Sequence, residues 1–374
     1  MKKLKVAYVT TYNALDVNSW SGSGYYIAKT VQKHLGEVTY IGDLKTRRYI
    51  THIMKSIWYK KILGKGYDKA RSELIGKEYA RMVEKELKKG QFDLILSPGT
   101  IPIAYLDTNI PIVFWTDANF SGMINYYFEN LSDETIRDGN KMEKRALDNC
   151  SLAIYSSEWA ATGAIELYGI NPIKVKVIPF GANIDNIPSK DELHHKIGSS
   201  LKLLFVGKDW KRKGGEIAFD TMKLLNEEGI EAHLTVVGCV PPVSDQRMKV
   251  VSFLNKNKKE DAEILRSLYI DSNFFIMPSR KECYGVVFCE AAAFGLPVLS
   301  SVTGGIPTIV KDGVNGYLLP LSAGGKDYAE KIIEIINSGT YEHLCSSSRQ
   351  RYEEVLNWDT AGKKLREEVE RTLK

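Results

Sequence analysis

Glu282 and Glu290 flank the start of an apolar stretch, Tyr284-Gly285-Val286-Val287-Phe288-Cys289-Glu290-Ala291-Ala292-Ala293. If a helix starts near Gly285, Glu282 stands just before its N-terminus and Glu290 lies in its second turn. Helical side chains tilt toward the N-terminus, so both carboxylates can approach one ligand bound there. Gly285 admits a ligand close to the backbone, and the free N–H groups of Val286 and Val287 suit a pyrophosphate. The plainer reading is that Glu282 caps the helix and Glu290 is a surface charge. A lone carboxylate on an otherwise apolar helix speaks for a task.

Three further groups could do chemistry. Gly207-Lys208-Asp209-Trp210-Lys211-Arg212-Lys213-Gly214-Gly215 follows a strand pattern and opens a helix. Cations and a glycine pair at a helix start suit a phosphate, although the order is not that of a Walker loop. A solvated basic turn is the alternative. Ser21-Gly22-Ser23-Gly24 suggests a dinucleotide loop with Asp43 on the ribose, but Ile27 stands where a third glycine belongs. About ten residues also separate the strand end from Gly22, where that fingerprint needs a tight turn. Gly22 and Gly24 can still hold an anion or sugar by backbone N–H groups, or form a plain loop. Asp117, after the apolar run Ile112–Trp115, either orients a hydroxyl or caps the next segment. The six histidines show no metal-ligand spacing, no Asp-x-Asp occurs, and the five cysteines form no Cys-x-x-Cys pair. Reduced buried thiols and no metal or other cofactor are expected.

These groups need a frame. Short β-branched runs alternate with longer helical patterns throughout. Lys5–Val9, Glu37–Ile41, Asp93–Leu96, Ile112–Trp115 and Leu152–Tyr155 read as strands, and so do Val175–Ile178, Leu203–Val206, His233–Val237, Asn273–Met277 and Pro297–Ser300. Most are continuous apolar runs, as in strands covered on both faces. Tyr67 to Val83 and Ile217 to Leu225 keep a helical rhythm. The pattern specifies an α/β protein with parallel sheets. Two prolines and a glycine in Ile178–Pro188 mark a boundary. Two doubly wound, Rossmann-like domains facing across a cleft are expected, at 1–180 and 190–355, with a final helix at 356–374 that Asp359 or Thr360 caps. Ligands would then sit beyond the carboxyl ends of the strands.

Glu282-x7-Glu290, with Gly295-Leu296-Pro297-Val298 and Thr303-Gly304-Gly305-Ile306-Pro307, resembles the donor site of retaining family-4 glycosyltransferases of the GT-B fold. Phe205-Val206-Gly207 with Lys213-Gly214-Gly215, Asp312–Leu319 and Trp358 extend the likeness over residues 200–374; over 1–180 it is architectural. The resemblance implies a nucleoside diphosphate sugar as donor and a glycan or lipid-linked acceptor. It implies that Glu290 binds the ribose, Glu282 the transferred sugar, Tyr284–Val287 the diphosphate by backbone, and Lys213 its charge. The Gly22–Gly24 loop would approach the donor from the other domain, and the last helix would cross back to the first domain. Lys208 replaces the usual arginine, so Arg212 is expected to share its task, because lysine lacks the bidentate fork. Thr308 replaces a common glutamate, and Asp117 stands where many members have histidine. A nucleotide-sugar epimerase and a non-catalytic nucleotide-sugar-binding protein are the alternatives on the same frame.

Composition narrows the partners. A net charge of +5 on 374 residues does not indicate a nucleic-acid binder. No apolar run approaches the ~18 residues of a membrane span, and the first apolar stretch ends at Thr10-Thr11, short of a signal peptide. A cytoplasmic location is expected. Residues 45–65 stand apart: Lys45, Arg47, Arg48, Lys55, Lys60, Lys61 and Lys65 occur with no acid among them. Ile50, Ile53, Met54, Ile57 and Trp58 lie on one helical face. Three uses are open: packing on the first sheet, gripping an anionic acceptor, or peripheral association with an anionic membrane on its inner face.

Overall fold

Apolar runs bounded by polar loops become parallel strands when helices cover both faces. The computed structural model describes residues 3–46, 49–193 and 196–374. Met1, Lys2, Arg47, Arg48 and the pair His194-His195 lie outside the described residues. The strands are β1 (Leu4–Val9), β2 (Gly36–Ile41), β3 (Leu94–Ser97), β4 (Ile112–Thr116), β5 (Leu152–Tyr155) and β6 (Val175–Val177), then β7 (Leu201–Val206), β8 (Ala232–Val237), β9 (Met248–Val251), β10 (Phe274–Met277), β11 (Val298–Ser301) and β12 (Gly316–Leu319). They form two six-stranded sheets, ordered β2-β1-β3-β4-β5-β6 and β12-β11-β10-β7-β8-β9. Every pairing between these strands is parallel.

Both orders reverse once. In the first sheet the reversal lies between β1 and β3, and in the second between β7 and β10. Helices leave opposite faces at such a point, and the crevice beyond the strand ends is where doubly wound sheets bind ligands. The chain divides into two units, Met1–Ile178 with Ala361–Lys374, and Pro179–Thr360. Within the first unit the terminal segment is tied down by Arg366, whose Nη1 donates to the His34 carbonyl at 2.7 Å.

The structure departs from the sequence expectations at several places. β9 is an extra strand at the edge of the second sheet, with half-exposed or exposed residues and therefore little apolar signal. β12 is also a full strand, paired with β11. The helical rhythm from Tyr67 does not begin the helix: Ser72 is extended and the helix runs Glu73–Leu87. The last helix, Trp358–Thr372, is capped by Asn357, whose Oδ1 accepts from the Thr360 N–H at 2.8 Å, and not by Asp359 or Thr360. The helix Tyr49–Trp58 does not bury its apolar face on the first sheet; Ile50, Ile53, Met54, Ile57 and Trp58 are all exposed.

Candidate functional site

In the second unit, two loops at the reversal point carry the expected groups. The loop after β7 ends in Gly214, with φ +73°, which opens the helix Gly215–Glu227. A Cβ on Gly214 would lie 2.0 Å from the Pro278 carbonyl oxygen, so only glycine lets this loop press against the end of β10. The Arg280 N–H donates to the Arg212 carbonyl at 2.8 Å and fastens the two loops. Lys213 and Glu282 meet as an ion pair between them. Arg212 Nη1 lies 4.0 Å from the same Glu282 oxygen and donates to the Lys281 carbonyl at 3.1 Å. Burial, with Arg212 alongside, pushes the Lys213 ammonium down to about 7.

The helix Val286–Ala293 begins directly after Gly285, whose φ of +92° marks a left-handed cap. Glu282, three residues before Gly285, is the partner of Lys213. Val286 and Val287 sit in the first turn, where a helix offers its own N–H groups no acceptor. The arrangement places two cations, a carboxylate and a helix N-terminus at one point, which suits a phosphate group next to a hydroxyl-bearing one. The Tyr284 side chain is turned away: its hydroxyl donates to the Phe180 carbonyl at 2.8 Å, leaving only its backbone for a ligand. Lys208 lies with its ammonium 4.5 Å from the centre of the Phe253 ring.

Glu290 is fully buried on this helix, and each oxygen has a partner. Lys256 pairs with Oε1, and the Tyr269 hydroxyl donates to Oε2 at 3.2 Å. Lys256 also reaches the Asn183 carbonyl at 3.4 Å. Neither Lys256 nor Tyr269 is distinguished in the sequence. Lys256 sits in the polar run Asn255–Glu260, and the period of its helix marks Tyr269 only as a core residue.

The first unit carries a cavity of about 230 Å³ at its own reversal point, lined by Thr10–Tyr12, Ser97–Pro102 and Thr116–Asn119 with Trp20, Arg71 and Glu143. Asp117 faces this cavity. The cap of the following helix, Phe120–Met123, is Asn119, whose Oδ1 accepts from the Gly122 N–H at 2.8 Å. That removes capping as the task of Asp117. Burial raises its carboxyl to about 6, against the effect of a hydrogen bond from the Trp20 side chain. Trp20 and Ser21 both adopt positive φ, 49° and 54°, ahead of Gly22 at 85°. Such backbone is costly for non-glycine residues and holds the indole toward Asp117. Gly24 is closely packed: its carbonyl accepts from the Tyr8 hydroxyl at 2.7 Å, and a Cβ there would meet the Tyr12 hydroxyl at 2.2 Å. That buried Tyr12 hydroxyl has no hydrogen-bond partner among the described residues. Behind it Thr100 donates to Glu143 at 2.6 Å, and Arg71 pairs with the same acid at 3.4 Å.

Two six-stranded parallel sheets, each reversing its order once, give the fold that GT-B glycosyltransferases share. The model for glycosyltransferase family 4 matches residues 25–186, and that for glycosyl transferases group 1 matches residues 200–338; the chain belongs to the family-4 glycosyltransferases. It is 24% identical over 245 residues to D-inositol 3-phosphate glycosyltransferase of Corynebacterium aurimucosum, covering 60% of this chain and 57% of that protein. The chain thus spans little more than half the length of that curated relative. Sucrose-phosphate synthase of Thermosynechococcus elongatus shares the fold with a TM-score of 0.70 and 16% identity, over 99% of both chains. HepE of Anabaena, solved with UDP and glucose, does so with a TM-score of 0.64 and 16% identity, over 98% of this chain and 99% of that one.

Proposed function

We propose that the protein moves a sugar from a nucleoside diphosphate sugar to a glycan or lipid-linked acceptor, with retention of configuration and without a metal. The observation that carries this reading is the meeting of Lys213, Arg212 and Glu282 in front of the helix Val286–Ala293. In it the diphosphate lies against the Val286 and Val287 N–H groups, and Lys213 turns from Glu282 to the phosphate. Glu282 is then released to the transferred sugar, and Glu290 reads the ribose once Lys256 gives way at its Oε1. As the bond from the anomeric carbon to the phosphate oxygen breaks, the acceptor oxygen bonds that carbon from the same face. The departing diphosphate oxygen takes the acceptor proton. Lys213, Arg212 and the helix N-terminus stabilise the growing charge, which removes the need for a metal. UDP and glucose in HepE support the donor class.

The first unit takes the acceptor at the cavity below Asp117, where the carboxylate orients the attacking hydroxyl. The Gly22 loop contributes through Trp20. A lipid-linked acceptor implies a peripheral position on the inner face of the membrane. The test is a panel of nucleotide sugars, with release of nucleoside diphosphate followed with and without acceptors and with EDTA. Acceptor-dependent release that survives EDTA supports the reading. Conversion of the donor into another nucleotide sugar identifies an epimerase. Tight binding without turnover identifies a binding protein, and loss restored by Mg²⁺ removes the metal-free part.

A further inference from the structure

The helix Tyr49–Trp58 and the turn Tyr59–Leu63 that extends it are attached to the first unit by their polar side. His52, only 8% exposed, bonds through Nδ1 to the Tyr67 hydroxyl at 2.7 Å and stacks on its ring. Tyr59 stacks on the other side of the cluster, 5.2 Å from the Tyr67 ring centre, and its hydroxyl donates to Glu134 at 2.9 Å. Lys55 pairs with Glu134 as well, and Lys65 lies 3.0 Å from Asp133. His52, Lys55 and Tyr59 share one face of the helix at 100° per residue. The opposite face carries Ile50 (70% exposed), Ile53, Met54 (68%), Ile57 and Trp58; Ile62 (67%) and Leu63 follow in the next turn and are exposed as well.

This is the reverse of what an amphipathic helix does on a globular core, where the apolar stripe faces inward. A hydrogen-bonded clasp on the inner side fixes the orientation, so the outward apolar face is held in place and does not result from loose packing. Five large apolar side chains on one outward helical face form a patch of the kind that marks an interaction site. Lys60 and Lys61, both exposed, extend it. Among the described residues no helix is long and apolar enough to cross a membrane.

We propose that residues 49–63 form an interfacial anchor that lies in the plane of an anionic lipid bilayer, with Ile50, Met54, Ile57, Trp58 and Ile62 among the acyl chains. A basic segment with an aromatic and aliphatic face is suited to that boundary, where apolar burial and attraction to anionic headgroups add. Trp58 supplies a ring suited to the headgroup level. A second copy of this chain fits less well, because a two-fold contact pairs this segment with itself and residues 45–65 hold no acid to meet Lys60 and Lys61. The inference rests on the glycosyltransferase reading only for its purpose, which is to bring the enzyme to a lipid-linked acceptor. The surface itself does not depend on it.

The test is co-sedimentation of the full chain with vesicles of phosphatidylcholine alone and with phosphatidylglycerol added, at low and high salt. Binding is expected on anionic vesicles, falling about five-fold per lysine removed at Lys60 and Lys61. The double variant Met54→Glu with Ile57→Glu should lose at least about ten-fold in vesicle binding while leaving its oligomeric state and its donor turnover on water-soluble acceptors unchanged. Trp58 emission should shift to the blue on vesicle binding, against Trp58→Phe as background. Wild-type protein left in the supernatant under every condition, or vesicle binding untouched by the double variant, overturns the proposal. A dimer that the double variant dissolves also overturns it, and names a second copy as the occupant. Failure of nucleoside diphosphate release with vesicle binding intact removes the enzymatic reading alone.

Discussion

Lys256 holds the Glu290 carboxylate from one side while the Tyr269 hydroxyl holds it from the other at 3.2 Å, in a place where Glu290 itself has no exposure to water. Removing one member of a buried pair leaves an uncompensated charge. For a fully buried pair that costs about 3–5 kcal/mol. Lys256 is one-third exposed, so Lys256→Met should cost less, about 1–3 kcal/mol. Glu290→Gln added to Lys256→Met should recover part of the loss, giving a coupling that urea unfolding of the four proteins measures. Independent, additive losses would dissolve the pair as a unit.

Donor kinetics separate the role of Glu290 from its structural partner. Ribose contacts are made equally in the ground and transition states, so Glu290→Gln should raise the donor KM and spare kcat. Steady-state rates over a range of donor concentrations decide it. A fall in kcat at constant KM would refute the ribose assignment.

Lys213 should behave in the opposite way. Charge on the diphosphate grows as the sugar leaves, so Lys213→Ala should lower kcat on the order of 100-fold. Its pH dependence follows from its burial. In the free enzyme the ammonium titrates at about 7, charged below and neutral above. kcat/KM for the donor reports the free enzyme, so it should fall as pH rises through about 7. Lys213→Arg, charged at every accessible pH, should remove that limb. A flat profile in the wild type would take Lys213 out of the binding step.

The donor-side groups were readable because their spacing along the chain is also their spacing in space. Glu282, Gly285 and Glu290 span one helix start, and Lys213-Gly214 sits at another. Lys256 was not readable, because what distinguishes it is a partner 34 positions away. Trp20 and Ser21 give no sign of their left-handed backbone, which glycine would have signalled. The periodicity of Ile50–Trp58 fixed an apolar face but not its direction, since the same pattern serves a core or a membrane. The direction is set by His52, Lys55 and Tyr59 meeting Tyr67 and Glu134. β9 escaped because an edge strand needs no apolar alternation.

Gly214 tests the contact between the two donor loops. Alanine there takes on a φ of +73° and a Cβ 2.0 Å from the Pro278 carbonyl oxygen. The left-handed backbone alone costs about 1–2 kcal/mol, and displacing the end of β10 adds to it. Gly214→Ala should therefore lower the unfolding midpoint and weaken donor binding together, because Lys213 moves with the loop. Gly339→Ala, also at positive φ but with nothing within 4 Å of its Cβ, is the control for backbone strain alone. Equal losses in the two variants would show that the approach to Pro278 is of no consequence.

Asp117 gives the acceptor side its own pH signature. Burial lifts its carboxyl to about 6, so it is neutral below that pH and ionised above it. If the carboxylate orients the attacking hydroxyl, kcat/KM for the acceptor should fall as pH drops through about 6, and Asp117→Asn should flatten that limb at a lower rate. Trp20 supplies a hydrogen bond that favours the ionised form. Trp20→Phe should therefore move the limb to higher pH while leaving the donor limb near 7 in place. Such a shift separates Trp20, which acts through Asp117, from a residue that only packs, because a packing defect would lower the rate without moving the limb. An acid limb that stays fixed in Trp20→Phe and persists in Asp117→Asn would assign it to another group and leave Asp117 outside the reaction.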